Sequence, residues 1–315
     1  MRKIKKVFLT AVLSALVLTP IFAQTKTVIG VTLMSLRHPF FQEMKTTLEK
    51  DAQELGVVIR LTDADFDAGK QVRQVEDYIQ QKVNGILITP CDSKALAPAL
   101  KKALAAGIPV VTVDVAAEGV DVVSHCASDN VLGGRLAADM LIKRLNERKI
   151  SKGTVLIVDH SGVTSTQARI EGFKPAMSKA LPSIKMVVMN AVGQRDKAMS
   201  VTEDAIQKYG KNLIGIFAIN DDCTLGALSA VERRNKLNTI SIVGYDFGDE
   251  SKAAIDAGKI IGDTVQFPSK MGLQAFHTLL DYISGKNKNP PKNQPIEVGT
   301  YQKDGFKDSS GNRMN

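Results

Sequence analysis

Cysteine is scarce in this chain: Cys91, Cys126 and Cys223 are the only three in 315 residues. An odd count without zinc-type spacing offers neither a metal site nor a disulfide framework. A chain this long buries an ample core without covalent staples, so free, buried thiols are expected. One bridge with a leftover thiol stays open on spacing alone. The four histidines, His38, His125, His160 and His277, also lack metal-pair spacing, and no metal is expected. There is no GxxxxGK[ST] loop and no GxGxxG after the first β-rich run, which removes the usual phosphate cradles. Gly133-Gly134 falls within a helical stretch and reads as close packing instead. GxSxG is missing, and His160-Ser161-Gly162 supplies no nucleophile elbow. Asp114 and Asp246 form a candidate carboxylate pair for glycoside chemistry. With Arg169 and Asn220 as neighbours, both are expected to stay ionised as hydrogen-bond acceptors, without the split in pKa that acid–base work needs. Neither catalysis nor a cofactor is expected.

Long apolar runs are equally rare. The single example, residues 7–22, follows the basic segment MRKIKK and precedes the small residue Ala23. This is the layout of a secretory signal peptide, with cleavage expected after Ala23. The run contains Pro20 and falls short of the roughly 20 residues of a spanning helix. No cysteine lies near its end, which argues against a lipid anchor. Loss of Arg2, Lys3, Lys5 and Lys6 takes the formal charge from +8 to +4. What remains has no Lys/Arg cluster interleaved with aromatics, so a nucleic-acid partner is not expected.

What is present is a rhythm. From Lys26 onward, VIGVTL, VVIRLTD, GILIT and PVVTVD alternate with helical stretches near residues 40–55, 70–83 and 93–106. The alternation restarts after VVSHCASDN with TVLIVDH, MVVMNAV, LIGIFAIND and ISIVGYDF. Runs that are apolar on both faces fit parallel sheets covered by helices on both sides. Two such halves imply two doubly wound α/β lobes. No Pro/Ser-rich linker separates them, so structured crossovers are expected rather than a flexible tether.

Ligands of open parallel sheets bind outside the carboxyl ends of the strands. The residues there are His38, Phe40 and Phe41, then Thr89, Asp114, Asn220, Asp221, Asp246 and Gln266. Asp and Asn also cap helices, which is the plainer explanation for any one of them. The stretch SLRHPFF, residues 35–41, is harder to dismiss. A core and a cap need one Phe, and here two stand beside a histidine at a strand exit.

HPFFQEMK, ITPCDSKAL, PVVTVDV, VVSHCASDNVLGG, ARIEGF, FAINDDCTLGAL, VGYDF and TVQFP occur in this order. In these motifs and their spacing, residues 26–297 resemble the type I periplasmic sugar-binding proteins, ribose binders in particular. The resemblance implies an N-terminal lobe of residues 24–128 and 267–295 and a C-terminal lobe of 129–266 and 296–315. Three hinge crossings, near Ser128, Gln266 and Glu297, would join them, with a sugar held between. Phe40 and Phe41 match the aromatic pair that packs on the sugar. Asp114 matches the acidic acceptor, Arg169 the guanidinium fork, Asn220 and Asp246 the partners from the second lobe, and Gln266 the third crossing.

The sequence also departs from the ribose-binder pattern. Val115 stands where ribose binders have Arg, His38 and Thr89 where they have Asn, Met34 where they have a small polar residue, and Gln194 where they have an aromatic. A monosaccharide or sugar alcohol other than ribose is therefore expected, bound by a periplasmic monomer that serves the permease of an ABC importer. A sensory role feeding a chemoreceptor or histidine kinase would use the same core. A lactose-repressor-type regulator would need a helix-turn-helix where the signal segment stands.

Overall fold

The computed structural model describes residues 26–313, so the expected signal segment, residues 1–23, lies outside the described residues. The chain first runs β1 (Val28–Leu33), α1 (Pro39–Leu55), β2 (Val58–Asp63), α2 (Ala68–Gln80), β3 (Gly85–Ile88), α3 (Ala97–Ala105), β4 (Val110–Val113) and β5 (Ser124–Ser128). It continues with α4 (Asn130–Glu147), β6 (Gly153–Asp159), α5 (Thr164–Ala180), β7 (Ile184–Asn190), α6 (Arg195–Tyr209) and β8 (Leu213–Ala218). Then come α7 (Asp221–Arg233), β9 (Ser241–Asp246), α8 (Asp249–Asp256), β10 (Gly262–Val265), α9 (Pro268–Ser284), β11 (Asn293–Ile296), β12 (Gly299–Gln302) and β13 (Gly305–Lys307).

These strands form two sheets. The first has the order β11-β5-β4-β3-β1-β2 and the second β13-β12-β10-β9-β8-β6-β7. The first is parallel throughout. The second is parallel from β7 to β10 and ends in antiparallel β12 and β13. The two-lobed α/β class expected from the alternating runs is the one observed.

Period-two alternation divides the first lobe's core into two layers. Ile29, Val31, Leu33, Leu87, Val111 and Val113 pack with Met44 and Leu48 of α1 and Phe276 of α9. Ile86, Ile88 and Val110 point the other way, against Val75 and Tyr78 of α2 and Leu100 of α3. Gly30 lies on this second face because Tyr78 covers it: a Cβ there would meet the ring at 2.6 Å. The second lobe has one continuous core from α4 to Tyr301, with Phe173 and Phe217 stacked at 4.3 Å. The three cysteines are buried and unpaired.

The chain passes between sheets at β5 to α4, β10 to α9 and β11 to β12. Two of these crossings are bound together, since Ser128 pairs with Ile296 and the Asp129 N–H donates to the Ile296 carbonyl at 2.9 Å. Ile296 thus closes the first sheet, one residue past the boundary expected at 295, because the ladder runs as far as Ser128. Among the described residues, no helix is long and apolar enough to cross a membrane.

Candidate ligand-binding site

The carboxyl ends of the two sheets enclose a cavity. It is lined by Met34, His38, Phe40, Phe41, Phe66, Asp114 and Val115 of the first lobe, and by His160, Val163, Ser165, Thr166, Arg169, Asn220 and Asp246 of the second, with Gln266 at a crossing. Its volume is about 40 Å³, against roughly 300–1,000 Å³ for ligand pockets. A sugar ring can enter only if the lobes part or side chains retract.

The local sequence explains how each group arrives there. His38 caps α1, its Nδ1 accepting from the Phe40 N–H at 3.3 Å, and Pro39 fixes the first helical turn. An accepting Nδ1 places the ring proton on Nε2. That atom is buried, makes no hydrogen bond and lies 3.6 Å from Asp246 Oδ2. The cap delivers Phe40 and Phe41 edge to face, centroids 5.0 Å apart. Both rings join the first lobe's core while lining the cavity.

Asp114 and Asp246 end the exits of β4 and β9 in the left-handed region, with φ of 65° and 94°. Such backbone is costly for a non-glycine residue and collects at functional sites. Asp114 Oδ1 has no hydrogen-bond partner. Burial pushes its carboxyl up to about 7, opposed by the Arg169 charge and assisted by Asp246. The expectation that Arg169 would keep Asp114 fully ionised is therefore corrected. Desolvation outweighs the guanidinium, which is committed elsewhere.

Arg169, on α5, donates from Nε to Asn130 Oδ1 at 2.9 Å and from Nη1 to both the Ile219 carbonyl and Asp246 Oδ1. Its guanidinium also lies 3.8 Å above the Tyr245 ring. Gln266 donates to Asp246 Oδ1 at 2.6 Å and leaves its own Oε1 without a partner. Asn220 caps α7, accepting from the Cys223 N–H at 2.9 Å and donating to the Gly193 carbonyl at 3.1 Å. The plain capping role applies to it even as it lines the cavity.

Two expected site residues stand elsewhere. Thr89 is fully buried at the end of β3, where its backbone serves Thr32 and Gln71; it is not among the lining residues. Gln194 lines a separate outer depression with Arg37, Phe66 and Arg195. The reason is the turn before it. Val192 and Gly193 have φ of 46° and 69°, and Asn190 Oδ1 accepts from the Ser161 and Val192 N–H groups. This turn sends Gln194 outward to begin α6 and leaves Gly193 on the inner side. There, a Cβ would meet His160 Nδ1 at 2.7 Å.

His160 and Phe66 were not expected in the site. The Asp159-His160 pair at the exit of β6 was a readable signal, whereas nothing in the sequence around Phe66 marks its left-handed φ of 59°.

Comparison with known proteins agrees with this geometry. The periplasmic binding protein domain family matches residues 29–287. The ribose import binding protein of Bacillus subtilis is 33% identical over 275 residues, covering 87% of each chain. A solute-binding protein of an ABC transporter from Actinobacillus succinogenes, solved with bound D-allose, superposes with a TM-score of 0.79. It is 28% identical over 89% of this chain and 98% of its own. A Caulobacter myo-inositol-binding protein, solved with myo-inositol, gives a TM-score of 0.78 at 27% identity, over 87% and 92% of the two chains. Motif order, two-sheet topology and relatives lead to one assignment: this chain belongs to the periplasmic binding protein domain family.

Proposed function

We propose that this protein is an exported, monomeric solute receptor that captures one monosaccharide or sugar alcohol between its lobes and hands it to an ABC importer. The observation that carries this reading is convergence. His38 Nε2, Asp114 Oδ1 and Gln266 Oε1 are buried polar atoms without hydrogen-bond partners, and all three residues line one cavity. Buried polar groups are almost always paired, so such a trio calls for a ligand. The trio combines a donor, an acceptor and a carboxyl that donates or accepts according to its protonation, and Phe40 and Phe41 stand beside it. A ring with hydroxyls at its rim and C–H groups on its faces meets both kinds of surface.

Relatives that bind ribose, allose and myo-inositol support the ligand class. Val115 offers no guanidinium beside Asp114, and His38 puts an imidazole on the cavity where ribose binders have Asn. These features favour a ligand other than ribose, because a mismatched hydroxyl set strands buried polar groups on the protein.

The test is a thermal-shift screen of pentoses, hexoses and polyols, followed by titration and solution scattering of each hit. A ligand in large excess over its dissociation constant raises the midpoint measurably, and closure reduces the radius of gyration. A flat screen across all three classes overturns the reading. Tight ribose binding overturns only the specificity argument.

A further inference from the structure

Phe66 occupies a backbone position that an aromatic residue avoids. It and Asp65 have φ of 59° and 54° between β2 and α2, where glycine or asparagine is the usual tenant. The loop is nonetheless firmly held. The Phe66 N–H donates to the Met34 carbonyl at 2.9 Å, and Asp63 Oδ1 accepts from Leu36 and Asp65. Arg37 pairs with Asp65 at 2.5 Å, and Asp67 caps α2 through Lys70. Backbone strain kept in place by this many contacts marks a side chain whose direction matters.

That direction is across the cleft. The Phe66 ring meets the His160 ring edge-on, with centroids 6.3 Å apart and an interplanar angle of 60°, so the contact joins the two lobes. Phe66 lines both the central cavity and the outer depression, whose volume is about 550 Å³. Its ring is therefore the partition between them. His160 is fixed behind it by Gly193, the one residue type that leaves room for the imidazole. The His160 carbonyl is also held, by the Thr166 hydroxyl at 2.7 Å. Burial holds the imidazole pKa below its ordinary value.

We propose that Phe66 and His160 form an inter-lobe gate that ends the sugar site on this side and limits the ligand to a single unsubstituted ring. The inference rests on the sugar-binding reading above. Removing the gate joins the inner cavity to the outer depression, which then accommodates a substituent projecting from the ring.

The experiment titrates the parent and its Phe66→Gly, Phe66→Tyr and His160→Ala variants with D-ribose, D-allose and myo-inositol, each beside its mono-O-methyl ethers. Phe66→Gly deletes the ring and relieves the left-handed strain together, so the variant keeps its fold. A methyl group refused by a packed wall costs about 10–200-fold in selectivity. The parent should therefore reject the ethers of the compound it binds. Phe66→Gly should regain one ether, at one ring position, to within about tenfold of the free compound. His160→Ala should regain the same ether more weakly, and Phe66→Tyr should not regain it. A parent that takes up a free compound while no variant gains an ether overturns the gate alone. A parent that takes up none of the three, nor any other pentose, hexose or polyol of the screen above, overturns the sugar reading and the gate with it.

Discussion

At the scale of single residues, Asp114 and Arg169 face one another across the cleft but act on stability with opposite signs. Asp114 is a carboxyl raised to about 7 in the folded protein. Its stabilising contribution is complete below the ordinary carboxylate value and is lost as pH rises through about 7. Asp114→Asn keeps the shape, tolerates the left-handed backbone and removes the titration. Its melting temperature should therefore exceed the parent's at pH 8 and match it near pH 4. At pH 8, where the parent carboxyl is ionised, its sugar affinity should fall about 10–100-fold, the worth of a charged hydrogen bond. A midpoint difference that stays constant across that pH range would falsify the account. Arg169→Ala instead strips Asp246 of a buried counter-charge, removes the donor to the Ile219 carbonyl and leaves Asn130 Oδ1 only the Tyr245 hydroxyl. Breaking a buried pair from one side costs about 3–5 kcal/mol, so denaturant titration should show a large loss even without sugar. Asp263 is a quieter case. Both its oxygens lack hydrogen-bond partners, and burial, with Asp221 and Asp246 nearby, raises its carboxyl well above the usual range. Asp263→Asn should stabilise the second lobe at alkaline pH and change sugar affinity little, as calorimetry of both properties would record.

At the scale of elements, α4 and α5 lie unusually close, and the glycines in them are the cause. A Cβ on Gly134 would stand 1.8 Å from the Arg169 carbonyl, and one on Gly172 would stand 1.9 Å from the Val131 carbonyl. Each helix thus presses a glycine against the other's backbone, which sets where Arg169 leaves α5. Gly134→Ala should force the pair apart, with a loss of about 1–3 kcal/mol from overpacking and weaker sugar binding in the same protein. If unfolding and titration showed the alanine variant equal to the parent, the helix contact would not position Arg169. The Gly133-Gly134 pair was legible as packing, because the phosphate-loop pattern around it was absent. Strand exits were legible too: a polar residue ending an apolar run marked Asp114, Asp246 and Gln266, and all three line the cavity. The Val192–Gly193 turn was not legible, since one left-handed residue more or less decides whether Gly193 or Gln194 faces inward. Thr89 misled for a related reason. It does end a strand, but its own backbone pairing with Thr32 and Gln71 keeps it behind the cavity.

At the scale of the whole molecule, the sheets close over Asp114, so its proton is linked to lobe separation. Opening returns the carboxyl toward its ordinary value, and by the sign worked out above the closed arrangement weakens as pH rises from about 4 to 7. Without added sugar, the radius of gyration should therefore be larger at pH 8 than at pH 5. An unchanged scattering curve would uncouple Asp114 from closure. The route of the chain has a further consequence, one of timing. The second lobe is contiguous from α4 to β10 apart from its antiparallel edge strands. The first lobe lacks α9, with Met271, Ala275, Phe276 and Leu279 of its core, and its edge strand β11, until residues 268–296 are available. Loop closure over so long an intervening segment is slow, and units complete in sequence acquire structure early. In refolding followed by pulsed hydrogen exchange, amides of β6, β8 and β9 should gain protection before those of β4 and β5. The lobe that begins the chain would then be the one that finishes folding last.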